Sequence, residues 1–179
     1  MYKEEAKRKQ NIMLIGFMGA GKTSIGLKLS WKLRIPVEDT DKLIERQEGK
    51  TISEIFQTEG EEAFRRMETE LLTKISKRPY RRIISVGGGT PVREENQKLL
   101  KRCGTVVFLR VRPETVCARL KGDTTRPLLQ GENPVETIRS LMESRKEAYE
   151  ACADIILDVD ECSAEECAVK LATILGGEK

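Results

Sequence analysis

Short apolar runs alternate with helical patterns along most of the chain. Five of these runs have the length and composition of β-strands, and the stretches between them carry the spacing of amphipathic helices. The predicted strands are residues 11–15, 35–39, 82–86, 105–111 and 154–158. This alternation predicts an α/β fold, with a five-stranded parallel sheet and helices on both faces. Because ligands of such sheets bind at the carboxyl ends of the strands, we expect function there.

The length and charge of the chain limit the number of domains and the kinds of ligand that are expected. With 179 residues and a net charge of +3, the chain is predicted to be a single domain, residues 1–179, that binds no nucleic acid. No apolar run is long enough to span a membrane, and the charged start lacks the apolar centre of a secretory signal. We therefore expect a cytoplasmic protein that binds no membrane. We also expect a monomer, with residues 1–10 as a frayed extension.

The lack of histidine restricts the possible chemistry. The sequence contains no histidine, which excludes Ser-His and Cys-His nucleophile pairs, a histidine base and histidine-bound zinc. Its five cysteines form no C-x-x-C pair, as expected of reduced thiols in the cytosol. Proton transfer is left to carboxylates, lysine, tyrosine, cysteine or the substrate itself.

The first predicted strand leads into a phosphate-binding motif. Residues 16–23 read GFMGAGKT, the pattern G-x-x-x-x-G-K-[ST] between a strand and a helix. Its backbone amides suit phosphates, Lys22 suits the β- and γ-phosphates, and the Thr23 hydroxyl suits Mg²⁺. The alternative is a glycine turn with an exposed lysine, but the strand and helix on either side favour nucleotide binding. The predicted ATP-binding residues of this loop are Gly19, Ala20, Gly21, Lys22, Thr23 and Ser24.

Two aspartates stand at the end of the second predicted strand. Asp39 and Asp41 are two residues apart, so both side chains are expected to point toward the phosphate loop. One would hold metal-bound water and the other would orient a hydroxyl. On the residues alone, a helix N-cap before Lys42 is an equally good explanation.

Three glycines, Gly87, Gly88 and Gly89, follow the third predicted strand. They would let a substrate approach the backbone, and a bare glycine turn is the alternative. Thr90 and Pro91 are predicted to be the N-cap and the first residue of the next helix.

Charged residues interrupt two apolar helix faces. In residues 61–76, Glu68 falls inside the apolar stripe, and Arg65 can pair with it while keeping part of its guanidinium for a ligand. In residues 134–151, Arg145 lies in the middle of the apolar face. The alternative for Arg65 and Glu68 is a surface i,i+3 ion pair, and the alternative for Arg145 is a side chain that reaches out to solvent. We favour a cleft in which both arginines hold a small anion such as a carboxylate.

A polar loop at residues 122–134 has neither helical nor strand periodicity and is predicted to be a lid. Arg126 is its only basic residue, and it would close over transferring phosphate. Arg119, just before the loop, either lies against the nucleotide base or is a solvated helix residue.

Taken together, these motifs resemble the shikimate kinase family over nearly the whole chain. The matching segments are GFMGAGKTSIG at 16–26, DTD at 39–41, EGEEAFRRME at 59–68, SVGGGTP at 85–91, TRPLL at 125–129 and R-x-x-x-Y at 145–149. The resemblance implies a P-loop fold like that of nucleoside monophosphate kinases. It also implies an enzyme that uses ATP and Mg²⁺ to phosphorylate the 3-hydroxyl of shikimate, in the biosynthesis of chorismate and aromatic amino acids.

The resemblance further implies roles for single residues. Lys22, Asp41 and Arg126 would be catalytic, with Lys22 on the phosphates, Asp41 as the base at the reacting hydroxyl, and Arg126 on the phosphate oxygens. Arg119 would flank adenine, completing the ATP contacts together with Arg126.

The same resemblance implies a metal site and a substrate site. Thr23 would bind Mg²⁺ directly and Asp39 through water. Glu68 would steady Arg65. The implied shikimate-binding residues are Asp41, Arg65, Gly87, Gly88, Gly89 and Arg145.

One segment departs from the family pattern. Family members often carry Ser/Thr-Pro-Glu-Glu beside adenine at the start of the last helix, where residues 163–166 read SAEE. Two other functions are possible: another small-metabolite kinase, such as a gluconate kinase-like protein, or a nucleotide-binding regulatory module without transfer activity. A carboxylate substrate does not separate shikimate from gluconate, but the DTD segment and the triple glycine favour shikimate.

Overall fold

The structure is a computed structural model that describes residues 11–77, 80–120 and 133–176. The strands in these ranges are β1 (Asn11–Ile15), β2 (Val37–Asp39), β3 (Ile83–Ser85), β4 (Gly104–Arg110) and β5 (Ile155–Asp158). The α-helices are α1 (Lys22–Leu33), α2 (Thr40–Glu48), α3 (Ile52–Ser76), α4 (Glu94–Cys103), α5 (Pro113–Leu120), α6 (Pro134–Cys152) and α7 (Ala164–Ile174). A 3₁₀ turn, Thr90–Val92, precedes α4.

The strands form one parallel sheet in the order β2-β3-β1-β4-β5. β2 and β3 lie on one side of β1, and the chain then crosses to the other side, where β4 and β5 lie. The carboxyl end of β1 therefore lies where the direction of winding reverses, which is where such sheets bind ligands. The predicted fold class is confirmed.

β1 has the predicted bounds, and the ends of the other four strands lie within two residues of the predicted ones. The largest difference is at β2, which begins at Val37 rather than at residue 35. Arg34 adopts a left-handed conformation that closes α1, with φ of 53°. Pro36 has no N–H to donate, although its carbonyl accepts a hydrogen bond from Ile83 at 2.8 Å. Regular pairing therefore starts one residue later.

The side chains of β1 alternate between two hydrophobic cores, one on each face of the sheet. Ile12 and Leu14 belong to the first core, and Met13 and Ile15 belong to the second. The buried helix residues of the first core are Ile25, Leu29, Val116, Leu120, Ile138, Cys167, Ala168 and Leu171. Those of the second are Ile44, Ile55, Phe64, Leu71, Leu72, Ile75, Leu100, Cys103, Tyr149 and Cys152. Helices thus cover both faces, as predicted.

The helix predicted for residues 61–76 is the second part of α3. Gly60 interrupts the helix with φ of 82° and ψ of 169°, and the part before it begins with a capping box formed by Thr51 and Glu54. The N-cap prediction for Thr90 is wrong. Thr90 and Pro91 lie in the 3₁₀ turn, and α4 begins only at Glu94. The Thr90 hydroxyl donates to Glu68 instead of capping a helix.

Part of the predicted lid lies outside the described residues, and so does Arg126. Residues 1–10 lie outside them as well. At the other end of the lid segment, Asn133 caps α6 by accepting from the Glu136 amide at 3.4 Å, and Pro134 is the first residue of that helix. None of the helices in the described ranges is both long and apolar enough to cross a membrane.

We predict that L14A lowers the free energy of unfolding by about 2 to 5 kcal/mol, because Leu14 is completely buried in the first core. L27A is the matched control, because Leu27 on α1 is 50% exposed. It should change the free energy of unfolding by about 0.5 kcal/mol or less. Urea unfolding followed by circular dichroism measures both variants. Equal losses in the two would contradict the assignment of Leu14 to the core.

Candidate active site

The carboxyl ends of β1, β2 and β3 open into one cleft of about 630 Å³. Most of the predicted site residues line it, together with Glu68: Gly19, Gly21, Lys22, Thr23, Ser24, Asp39, Asp41, Arg65, Gly87, Gly88, Gly89, Arg119 and Arg145. Ala20 is buried and lines a smaller cavity of about 300 Å³ that shares Gly21, Ser24 and Arg119 with the cleft. Arg126 lies outside the described residues.

The phosphate loop runs from the end of β1 to the start of α1. A Cβ atom at Gly16 would lie 2.7 Å from the Leu109 carbonyl oxygen, so only glycine lets the loop lie against β4. Gly21 has φ of 92° and is the N-cap residue of α1. The Lys22 ammonium donates to the carbonyls of Gly16 at 2.7 Å and Phe17 at 3.1 Å, which holds it against the loop.

The N-terminus of α1 faces the cleft without a side-chain cap. Gly21 offers no side chain to cap the helix, and the first turn contains no acidic residue. The amides at the start of a helix carry a partial positive charge, and they remain available when no side chain accepts from them. This arrangement suits a bound phosphate.

Asp39 caps α2 and also lines the cleft. Its Oδ1 accepts hydrogen bonds from the amides of Asp41 at 3.0 Å and Lys42 at 3.3 Å. The N-cap explanation considered for this residue is therefore confirmed. Because Asp39 borders the cleft as well, the cap does not exclude a second role toward a ligand.

Asp41 has an unusual environment for a carboxylate. Its Oδ1 is buried and has no hydrogen-bond partner among the described residues. Burial, together with the negative charges of Asp39 and Glu68, raises the pKa of Asp41 from 3.8 to about 6, against the opposing effect of Lys22. A buried, unpaired oxygen with this pKa suits a ligand that donates a hydrogen bond.

The buried Glu68 carboxylate fixes the position of the Arg65 guanidinium. The Glu68 side chain is only 1% exposed, and its Oε2 accepts from Arg65 Nη1 at 2.8 Å. Its other oxygen accepts from the Thr90 hydroxyl. The guanidinium lies directly on the backbone of Gly89, where any side chain would displace it. On its outer side, Arg65 donates to Glu61 from Nη2 at 2.9 Å.

Arg145 reaches the cleft from α6. It is half-buried, and its guanidinium carbon lies 5.7 Å from the centre of the Phe17 ring. One turn later, the Tyr149 hydroxyl donates to the Gly88 carbonyl at 2.6 Å. The same helix therefore positions an arginine and part of the glycine backbone.

Arg119 joins the phosphate loop to the segment after β5. Its guanidinium donates to the carbonyls of Gly19 at 3.1 Å and Val159 at 2.6 Å. It is thus more than a solvated helix residue, and it lies on the wall of the smaller cavity beside Ala164. A contact with the nucleotide base remains a prediction.

Three residues that shape the site lie in the segments matched to the family, but sequence reasoning assigned them no role. Glu61 precedes Arg65 by one helical turn, so the i,i+4 spacing was an available signal. Thr40 accepts a hydrogen bond from the Gly87 amide at 2.9 Å, and Tyr149 fixes Gly88. These two contacts join distant segments and have no local signature in the sequence.

We predict that Asp41 makes the protein less stable as the pH rises. From about pH 4 to pH 6, the folded state keeps a proton on Asp41 that the unfolded state has lost, because the pKa is about 6 in the fold and 3.8 without it. The free energy of unfolding therefore falls across this window, by about 3 kcal/mol at most. D41N lacks this contribution.

Urea unfolding at the two ends of the window measures the effect in the wild type and in D41N. E45Q is a control of opposite sign, because hydrogen bonds from Lys42 and the Ile52 amide lower the pKa of Glu45. The stability that Glu45 contributes is lost as the pH falls. An identical pH dependence in the wild type and D41N would rule out a raised pKa at Asp41.

Comparisons with known proteins give a consistent result. The family model described as shikimate kinase matches residues 18–175. The shikimate kinase of Thermodesulfovibrio yellowstonii is 44% identical over 162 residues, which cover 90% of this chain and 92% of that protein. The structure of shikimate kinase from Acinetobacter baumannii in complex with shikimate has 36% identity and a TM-score of 0.85, with 98% of each chain covered. The Aquifex aeolicus shikimate kinase structure has 35% identity and a TM-score of 0.76, with 93% of this chain and 96% of that chain covered. The chain therefore belongs to the shikimate kinase family.

Proposed function

We propose that the protein transfers the γ-phosphate of ATP to the 3-hydroxyl of shikimate, using Mg²⁺. The observation that carries this proposal is that one cleft is lined by the phosphate loop, by Arg65 and Arg145, and by Asp41 with its buried, unpaired carboxylate oxygen. Membership of the shikimate kinase family supports the choice of substrates. So does the related structure that is named as a complex with shikimate.

The ATP phosphates would lie on the loop and on the N-terminus of α1. The loop amides and the helix dipole favour the negative charge, and Lys22 would turn from the loop carbonyls to the β- and γ-phosphates. Arg119 would border the adenine end. Arg126 would approach the transferring phosphate, as the family resemblance implies.

Thr23 and Asp39 would hold Mg²⁺. Both residues line the cleft, and they supply the hydroxyl and carboxylate oxygens that this ion prefers. Within the described ranges, no group of three acidic, cysteine or histidine side chains could hold a metal ion. This fits an ion that takes its other ligands from phosphate oxygens and water. Bound Mg²⁺ would neutralise charge on the phosphates.

The shikimate carboxylate would bind between Arg65 and Arg145. Glu68 is buried and keeps Arg65 oriented, whereas the side chain of Glu61 is 66% exposed. Because an exposed ion pair contributes little stability, a substrate carboxylate can replace Glu61 on Arg65 at small cost. The backbone of Gly87, Gly88 and Gly89 would contact the ring hydroxyls.

Asp41 would act as the base. Its pKa of about 6 leaves it mostly ionised near neutral pH, and its unpaired oxygen would accept the hydrogen bond of the 3-hydroxyl. The hydroxyl oxygen would attack the γ-phosphorus, the bond to the bridging oxygen would break, and ADP would leave while Asp41 takes the proton. Phosphoryl transfer depends mainly on positioning and charge neutralisation, which this site supplies without histidine.

The direct test is release of ADP from MgATP in the presence of different hydroxy acids. We expect shikimate to stimulate release and gluconate to leave it at the background rate. K22A, which removes the ammonium at the phosphates, is the negative control. Stimulation by gluconate instead would favour the gluconate kinase-like alternative. No stimulation by any acceptor would favour a regulatory module.

We predict that R65A and R145A raise the KM for shikimate by roughly 10- to 100-fold, because a hydrogen bond to a charged group contributes about 1.5 to 3 kcal/mol. The KM for ATP should change little. R139A is the matched control on α6, since Arg139 is exposed and pairs with Glu114. Steady-state kinetics with both substrates measures all three variants. An unchanged KM for shikimate in both cleft variants would refute the carboxylate clamp.

A further inference from the structure

The three glycines that line the cleft belong to a tight turn over residues 87–90, here called the glycine turn. The Thr90 amide donates to the Gly87 carbonyl at 3.1 Å, which closes the turn. Gly88 and Gly89 are its two central residues. Gly89 has φ of −88° and ψ of −17°, and Gly88 does not have a positive φ. These angles fit a type I turn.

The composition of the glycine turn allows a second conformation. In a type II turn the central peptide is turned over, and the third residue of the turn needs a positive φ. That third residue is Gly89, and glycine adopts positive φ about as readily as negative φ. The local sequence therefore favours neither orientation of the Gly88–Gly89 peptide, and a contact from outside the turn has to fix it.

Tyr149 supplies this contact from α6. Its hydroxyl donates at 2.6 Å to the Gly88 carbonyl, which belongs to the central peptide of the turn. The tyrosine is only 2% exposed, and its ring packs against Phe108 with ring centres 5.0 Å apart. Burial raises the pKa of Tyr149, against the opposing effect of Arg145, so the hydroxyl keeps its proton and donates at neutral pH. Turning the peptide over would break this hydrogen bond.

The position of the Gly88 carbonyl determines where the Gly89 amide points. The peptide that joins them is trans, so its N–H points away from its carbonyl and hence away from Tyr149. Both glycines line the cleft. Neither the Gly88 nor the Gly89 amide has an acceptor in the part of the chain that the structure describes, whereas the Gly87 amide donates to Thr40 at 2.9 Å. The Gly89 N–H therefore remains available to a ligand in the cleft.

We propose that Tyr149 is a positioning residue whose hydroxyl holds the central peptide of the glycine turn in the orientation that presents the Gly89 N–H to the substrate. Without the hydroxyl, both orientations become accessible, and only one of them offers the N–H to the cleft. The contact with shikimate rests on the proposed function. The orientation of the peptide does not.

The first experiment is steady-state kinetics of Y149F, which loses the hydroxyl and keeps the ring against Phe108. We expect the KM for shikimate to rise roughly 3- to 10-fold, as for the loss of one hydrogen bond. The kcat and the KM for ATP should change by less than about twofold, because the contact serves substrate binding. F108L is the matched control, since it loosens the packing of the same ring and leaves the hydroxyl in place.

Urea unfolding of both variants compares their losses of stability. A wild-type KM for shikimate in Y149F, or an equal rise in F108L, would overturn the proposal. A wild-type protein that releases no ADP with shikimate would instead contradict the proposed function.

The second experiment needs no activity. Relaxation dispersion of ¹⁵N nuclei detects exchange between conformations on the microsecond to millisecond timescale. We expect exchange at the Gly88 and Gly89 amides in Y149F, and none there in the wild type or F108L. The same relaxation behaviour in the wild type and Y149F would overturn the role of Tyr149, whatever the substrate of the protein.

Discussion

The buried carboxylate of Glu68 is the contact on which the candidate site depends. One of its oxygens accepts a hydrogen bond from Arg65 on the same helix, and the other accepts one from Thr90 beyond the glycine segment. Through these contacts α3, the glycine segment and a guanidinium keep fixed relative positions. The same negative charge contributes to the raised pKa of Asp41. A buried charge is costly without partners, and here the partners are the parts of the site that must be oriented.

Local patterns in the sequence were sufficient to predict the sheet and the phosphate loop. The five strands follow from short apolar runs, and the loop follows from a motif whose glycines and lysine have fixed spacing. Helical periodicity also located Glu68 on a buried face and identified Arg65 as its partner. The part of the site that was predicted is the part encoded within a single helix or a single strand end.

What the sequence did not reveal are the contacts between distant segments. Thr90 fits an N-cap by its neighbours, yet its hydroxyl is taken by a carboxylate 22 positions earlier. Thr40 and Gly87 are 47 positions apart, and Tyr149 and Gly88 are 61 apart. Such pairings are set by how the helices pack on the sheet. Local propensity contains no information about them, and tertiary contacts override it where the two disagree.

The central strand has a further consequence for folding. Because adjacent side chains of β1 belong to different cores, loss of packing in either core exposes side chains of the same central strand. The two layers are expected to unfold as one cooperative unit. The phosphate loop directly continues this strand, so we expect the loop to keep its native structure only while the domain is folded. A nucleotide that binds only the native loop therefore stabilises the entire domain by mass action, far beyond the residues it touches.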